Sequence, residues 1–338
     1  MNFGNCFRAT TIALFLLIHP TNTWCTTEQA DVRFPGSDIV LQDGDLLLYY
    51  NPTPLEGLNS LFGLPKGRYS HASVYVMLPK IGGRIVDFSA RGLSEQAPAA
   101  SLEQDYRIAL VRPNDPPPVE HLATALSDIR KRVADGHIKF DYLLRWTAED
   151  DGRYYCTEFI SRLFRNAQLP DPFPLQSDSE NNFWRGWVAE NMDIDYSRIV
   201  SPNAPLHSPA FKLMAEYQRN DPAAQRQELE LDTLLKQMEF YIKEQGRVPA
   251  TPPLGSRLLV GMANAGFFTD QLIGGLPPKS RPILLVAHEF IVRVQERVER
   301  SVWLYEGEDW PPATIVNLTQ RTADALRDKY FALPPVPR

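Results

Sequence analysis

Ser70-His71-Ala72-Ser73-Val74-Tyr75-Val76 alternates two kinds of side chain with a period of two, as expected for a β-strand that buries one face. Ala72, Val74 and Val76 form the apolar face of this segment. His71 therefore lies on the opposite, more polar face, together with Ser73 and Tyr75. A histidine at such a position is either a half-buried strand residue or a functional group.

The segments around this strand have the pattern of an antiparallel sheet followed by a helix. The run 79–83 is rich in turn residues and predicts a hairpin, and residues 119–134 repeat apolar side chains with a helical period. The predicted strands are Leu46–Tyr50, Tyr69–Leu78, Arg84–Phe88 and Tyr106–Val111. The sequence therefore predicts an α+β fold with an antiparallel sheet and packed helices.

Cys156 lies where a strand-like run changes into an amphipathic helix, at Tyr154-Tyr155-Cys156-Thr157-Glu158-Phe159-Ile160. At a helix start, the unpaired backbone N–H groups and the positive end of the helix dipole stabilise a thiolate, which favours a nucleophile. Cys156 also belongs to the apolar stripe of the helix, and a cysteine on such a stripe is typical of a buried core. The local pattern leaves both interpretations open.

A thiolate hydrolase also needs a base. His71 is the best candidate, because the other histidines beyond the N-terminal segment lie in helical patterns or loops; these are His121, His137, His207 and His288. Asp87 has the strand parity that places it on the same face as His71, where it would hold the imidazole; the alternative is a strand-edge carboxylate. A turn over 79–83 pairs Asp87 with Tyr75, four residues from His71, so we expect a bulge or strong twist to close the gap.

Composition limits the classes of partner and cofactor. The chain has 338 residues with 43% hydrophobic content, enough for one large domain or two ordinary ones. Its formal net charge is −6 and no run of Lys or Arg forms a basic stripe, so we expect no nucleic-acid partner. No cluster of histidine, cysteine and aspartate has the spacing of metal ligands, so we expect neither a metal nor a cofactor.

Residues 1–25 have the layout of a secretory signal peptide. Arg8 is followed by an apolar stretch, Ile12 to Ile18, that is too short to span a bilayer. Two cleavage positions fit the small-residue rule, and both remain open. Removal of the signal eliminates Cys6, and lipid anchoring at Cys25 is not expected because Trp24 makes a poor lipobox. We therefore expect a secreted or periplasmic protein.

Several short motifs, taken in chain order, resemble a known family. They are Gly44-Asp45-Leu46-Leu47, Ser70-His71-Ala72-Ser73-Val74-Tyr75, Val86-Asp87, Phe140-Asp141-Tyr142 and Tyr155-Cys156-Thr157-Glu158-Phe159. Their order resembles the circularly permuted branch of the NlpC-type papain-like hydrolases, the YaeF/YiiX group, in which histidine precedes cysteine. The resemblance covers about residues 36–215, including Ser201-Pro202 and Ser208-Pro209.

The resemblance implies a papain-like fold and a role for each motif residue. It implies that Cys156 is the nucleophile, that His71 is the base and that Asp87 is the polar third residue, where relatives often carry glutamate. Glu158 falls in the same motif, but it faces another way on the helix, so we interpret it as structural. The implied catalytic domain is 31–218.

Residues 219–338 lie outside the resemblance and predict a mostly helical C-terminal extension. Pro222 to Gln245 and Ile283 to Trp303 are helix-prone segments, the latter with apolar residues at helical spacing. The apolar stretch Leu258 to Leu276 is interrupted by glycines and polar residues and does not predict a membrane span. The extension also offers a surface for a protein partner.

Three functions are consistent with this pattern. The first is an exported cysteine hydrolase, an amidase or peptidase that cleaves amide bonds in peptidoglycan stem peptides or acyl-amide substrates of the cell envelope. The second is a lipid-directed acyltransferase, thioesterase or N-acyl hydrolase of the same fold. The third is a papain-like module that binds a ligand without turnover.

Overall fold

A computed structural model describes residues 31–53, 69–89, 91–103, 105–118, 120–141, 150–173, 187, 190–191, 200–250, 280–303 and 310–333. Residues 31–338 form one compact unit. The predicted export signal and the stretch Leu258 to Leu276 lie outside the described residues. No helix in the described ranges is long and apolar enough to cross a membrane.

A six-stranded sheet forms the centre of the fold, and all its neighbouring strands are antiparallel. Its strands are β1 (Leu46–Tyr50), β2 (His71–Leu78), β3 (Gly82–Ser89), β4 (Gly92–Gln96), β5 (Arg107–Pro113) and β8 (Phe211–Gln218), in the order β4-β3-β2-β1-β5-β8. Two short pairs lie outside this sheet. They are β6 (Lys139–Phe140) with β7 (Arg153–Tyr154), and β9 (Val248–Pro249) with β10 (Phe331–Ala332).

The described part of the chain contains six α-helices and a short 3₁₀ turn, Ala204–His207. The helices are α1 (Pro98–Leu102), α2 (His121–Ala134), α3 (Cys156–Asn166), α4 (Pro222–Lys243), α5 (Ser280–Trp303) and α6 (Pro312–Tyr330). An antiparallel sheet with segregated helices is an α+β fold, so the predicted class is confirmed.

Both faces of the sheet are buried, because strand residues alternate between two apolar clusters. Leu46, Leu48 and Val74 pack with α2 and α3 on one face. Leu47 and Tyr75 pack on the other face, against residues such as Phe34 and Leu41 that precede the sheet. The polar face predicted for the first quoted strand is therefore also mostly covered, and Ser73 is buried there.

The predicted register between β2 and β3 was wrong by two residues. The hairpin loop comprises only residues 79–81, and Leu78 pairs with Gly82. Lys80 takes a left-handed conformation, with φ of 68°, and closes this short loop. Gly83 is a strand residue that pairs with Met77, and the Tyr75 side chain lies so close to it that an added Cβ would clash with the hydroxyl oxygen.

Two strands of the sheet were missing from the prediction, and both lie at its edges. The segment Gly92–Gln96 has only one apolar residue and no β-branched side chain. The segment Phe211–Gln218 contains lysine, leucine, methionine, alanine and glutamate, which are helix formers in isolation. Its pairing with β5 overrides that local preference.

The C-terminal helices have an apolar core of their own. Leu234, Phe290 and Tyr330 are fully buried in it, one from each of α4, α5 and α6. One contact between α4 and the sheet is an ion pair of 2.9 Å between Arg107 and Glu228. The predicted helices at Pro222 and Ile283 correspond to α4 and α5, and α6 adds a helix that the sequence pattern did not identify.

Candidate active site

Cys156 is the first residue of α3 and is partly exposed. The preceding residue, Tyr155, has an extended backbone and provides no side-chain cap, so the positive end of the helix lies at the thiol. Phe159 and Ile160 are fully buried against the sheet and fix the position of the helix. The helix therefore buries its apolar stripe through residues such as Phe159 and Ile160, while the Cys156 thiol stays partly exposed.

His71 is the first residue of β2 and pairs with Tyr49 of β1. Its side chain is 32% exposed, and its ring centroid is 6.1 Å from that of Tyr49. The backbone around it is held in place, since Ser70 N–H donates to the Tyr49 carbonyl at 2.9 Å. His71 therefore has a fixed backbone and an accessible imidazole.

Asp87 of β3 lies beside His71. Its Oδ2 is 3.5 Å from Nε2 of His71, and its side chain is 21% exposed. Continuation of the observed register places Asp87 opposite Ser73, only two residues from His71 on the same face. The bulge that the longer predicted turn required is therefore unnecessary.

The pKa of His71 reflects its two neighbours. Burial alone lowers the pKa of this imidazole, but the negative charge of Asp87, the charge of Cys156 and hydrogen-bonding interactions with both raise it well above the ordinary value. The structure thus brings together the three residues that the sequence singled out, with His71 between the acid and the thiol. Such an arrangement favours the imidazolium form of His71.

A cleft of about 220 Å³ opens beside His71 and Asp87. It is lined mainly by polar residues of the sheet and of the segment before β5, which are Tyr49, Asn51, His71, Ser73, Ile85, Asp87, Ser94, Gln96, Ser101 and Asp105. The hydroxyl of Tyr49 accepts a hydrogen bond of 2.9 Å from Ser73, and Asn51 donates one of 2.5 Å to Asp105. Burial raises the pKa of Tyr49, which keeps its hydroxyl neutral.

The sequence reasoning identified His71 and Asp87 but not the other charged and aromatic residues of this cleft, Asp105 and Tyr49. Tyr49 could have been found, because strand parity places it on the face of His71 once β1 and β2 are paired. Asp105 carries no such signal, since it precedes β5 in an irregular segment and reaches the cleft only in the folded chain.

Two acidic residues of the quoted motifs have structural contacts. Asp45 is fully buried and accepts two hydrogen bonds of 2.7 Å from Arg112, which ties β1 to β5. Glu158 is fully buried and pairs with Arg162 at 3.2 Å within α3. The interpretation of Glu158 as a structural residue agrees with these contacts.

Within the described ranges, no group of three or more histidine, cysteine, aspartate or glutamate residues could hold a metal ion.

Comparison with known proteins gives one similar structure. No protein-family model matches the chain, and no curated protein matches it. The crystal structure of metalloprotein YiiX from Escherichia coli O157:H7 matches with a TM-score of 0.41 and 19% identity, over 53% of this chain and 98% of the other. YiiX belongs by name to the group that the sequence motifs resemble. At this level of similarity no activity follows from the match.

Proposed function

We propose that this protein is a cysteine hydrolase that cleaves amide bonds through Cys156, His71 and Asp87. The observation that carries the proposal is the position of His71, which interacts with the carboxylate of Asp87 and with Cys156. An imidazole held between an acid and a thiol at a helix start is the arrangement that nucleophilic catalysis by cysteine requires.

The first half of the reaction would form an acyl-enzyme. The Cys156 thiolate attacks the substrate carbonyl carbon, and the backbone N–H at the start of α3 stabilises the developing oxyanion. Asp87 contacts Nε2 of His71, which leaves Nδ1 for proton exchange with the sulfur. Protonated His71 donates its proton to the leaving amine, the carbon–nitrogen bond breaks and a thioester remains on Cys156.

The second half would release the acid product. Neutral His71 takes a proton from water, the resulting hydroxide attacks the thioester carbon, and the carbon–sulfur bond breaks. The Cys156 thiolate and the His71 imidazolium are regenerated together. Asp87 stabilises the imidazolium in both halves and orients its ring.

The cleft favours a polar substrate. Its lining includes the proposed base and acid but not Cys156, and it combines the carboxylates Asp87 and Asp105 with several hydroxyl groups, which suits amide and amine donors better than an acyl chain. With the export signal predicted at residues 1–25, a peptidoglycan stem peptide is the substrate that fits best, and the periplasm or cell exterior is the proposed location.

The proposal is tested by incubating the mature protein with purified muropeptides and separating the products by mass. We expect new free amine and carboxyl ends with the wild-type protein and none with Cys156→Ala or His71→Ala. His137→Ala is the matched control for His71→Ala, because His137 is exposed and distant in sequence from the three site residues.

Parallel incubations with phospholipids and acylated peptides separate the alternatives. Cys156-dependent products from these lipids alone would replace the amidase with a lipid-directed acyl hydrolase or transferase. Absence of a Cys156-dependent product from either set would refute both enzyme functions and leave the binding module.

A further inference from the structure

The segment 200–203 forms hydrogen bonds with residues next to Cys156 and with a residue two positions before His71. It lies outside the cleft and between two elements that are far apart in the chain, the start of α3 and the entry to β2. The bonds on each side involve residues next to Cys156 and just before His71. Such a connection can set the distance between nucleophile and base.

On the α3 side, both backbone groups of Val200 are bound by residues that flank Cys156. Val200 N–H donates to the Tyr155 hydroxyl at 3.0 Å, and the Thr157 hydroxyl donates to the Val200 carbonyl at 3.2 Å. Tyr155, Thr157 and Val200 are all buried, so water does not compete for these bonds.

On the β2 side, Asn203 holds the backbone just before His71. Its Nδ2 donates to the Tyr69 carbonyl at 2.9 Å and to the Ser201 hydroxyl at 3.1 Å. Asn203 is 5% exposed, and a carbonyl oxygen can only accept, so the amide orientation is fixed by Tyr69. Tyr69 is itself anchored, since its hydroxyl donates to Glu216 of β8 at 2.7 Å.

We propose that Asn203 is a positioning residue that, through segment 200–203, sets the separation of Cys156 from His71. The inference rests on the proposed function, because it takes these two residues as nucleophile and base. Asn203 does not line the cleft, so its effect would reach the chemistry only through the backbone of β2. Displacements of about 1 Å in a catalytic pair can change rates by up to about a hundredfold.

The test measures the rate of Cys156 alkylation by iodoacetamide between pH 4 and pH 9 in wild-type and Asn203→Ala protein. Loss of the Tyr69 bond should displace His71 relative to Cys156, so we expect alkylation near pH 6 to slow by about tenfold. Asn114→Ala is the control, because Asn114 Nδ2 makes the same kind of bond, 2.7 Å to the Pro209 carbonyl.

Tyr155→Phe provides an independent variant if Asn203→Ala does not fold. It removes the acceptor for Val200 N–H from the other side of the segment and should shift the alkylation profile in the same direction. A wild-type pH profile in a folded Asn203 or Tyr155 variant would overturn the inference. Alkylation needs no substrate, so failure of muropeptide cleavage in wild-type protein would count against the proposed function alone.

Discussion

At the residue scale, the site depends on one imidazole that interacts with two neighbours, Asp87 and Cys156. Folded His71 has a raised pKa, so its contribution to stability is fully present below about pH 6.5 and is lost as the pH rises through the raised value. The raised pKa also matters for catalysis, because it keeps His71 in the imidazolium form at pH values above the ordinary pKa of histidine. Of the two neighbouring groups that raise this pKa, Asp87 has the larger effect.

Asp87→Asn should lower the pKa of His71, because it replaces the neighbouring negative charge with a neutral amide. NMR titration of the His71 ring protons measures the midpoint without a substrate. Asp135→Asn is the control, since Asp135 is exposed at the end of α2. An unchanged His71 midpoint in Asp87→Asn would show that Asp87 does not stabilise the imidazolium.

At the element scale, the β2–β3 hairpin shows why glycine can mislead a register prediction. The pair Gly82-Gly83 was assigned to the turn, although Gly83 is a strand residue that makes room for the Tyr75 ring. The length of the loop determines which residues of the two strands are paired. Because the loop is two residues shorter than the predicted turn, Asp87 lies within reach of His71.

Gly83→Ala should destabilise the protein by about 1–3 kcal/mol, because the added methyl group would displace the buried Tyr75 ring. Thermal unfolding measures the loss, and NMR of His71 shows whether the register next to Asp87 is kept. Ile81→Ala serves as control, since Ile81 is an exposed loop residue of the same hairpin. Equal stability of Gly83→Ala and wild type would contradict the close approach of Tyr75.

Helix α4 carries a buried carboxyl group whose ionisation should destabilise the C-terminal core. Burial raises the pKa of Glu230 to about 7; Arg226, 3.3 Å away, opposes this, and Glu299 adds to it. The stability that Glu230 contributes is therefore present below about pH 4.5 and lost as the pH rises through about 7.

Glu230→Gln should raise the unfolding temperature at pH 8 and leave it nearly unchanged at pH 4.5, since glutamine stays neutral at both values. The shift from 4.5 to about 7 sets an upper limit of about 3 kcal/mol on the gain. Calorimetry at the two pH values measures the unfolding temperature, and Glu244→Gln is the control because Glu244 is exposed. A pH-independent difference would mean that Glu230 does not titrate in this range.

At the scale of the whole molecule, the sheet and the C-terminal helices have separate apolar cores. The clusters around the sheet contain no described residue after 217, and the cluster of α4, α5 and α6 contains no strand residue of the main sheet. Between them, Glu228 of α4 bonds to Tyr106 and Arg107. The predicted boundary near residue 218 stays a prediction, because residues 31–338 form one compact unit.

A chain comprising residues 31–218 alone should fold and should keep the reactivity of Cys156, because its sheet core does not use the helical extension. Cooperative thermal unfolding and the alkylation profile of Cys156 measure both properties against the full mature chain. The partly buried Trp187 packs on the helical cluster and would become exposed, so we also expect reduced solubility. A truncated chain without cooperative unfolding would show that the two cores depend on each other.

The sequence alone predicted the α+β class, four of the six strands of the main sheet, four of the six described α-helices and the three candidate site residues. The strand around His71 has a period of two, the helix at Cys156 has an apolar stripe, and both patterns are local. Their chain order provided the resemblance, which no single motif would have carried.

Only the tertiary structure decided how these residues meet. The register of β3, the edge strand β8, the cleft residue Asp105 and the bonds of Asn203 all depend on partners distant in the chain. Local propensity cannot specify such partners, because pairing energy and burial across the sheet outweigh the preference of each segment. The sequence therefore identified the chemical groups, and the packing of the sheet determined their geometry.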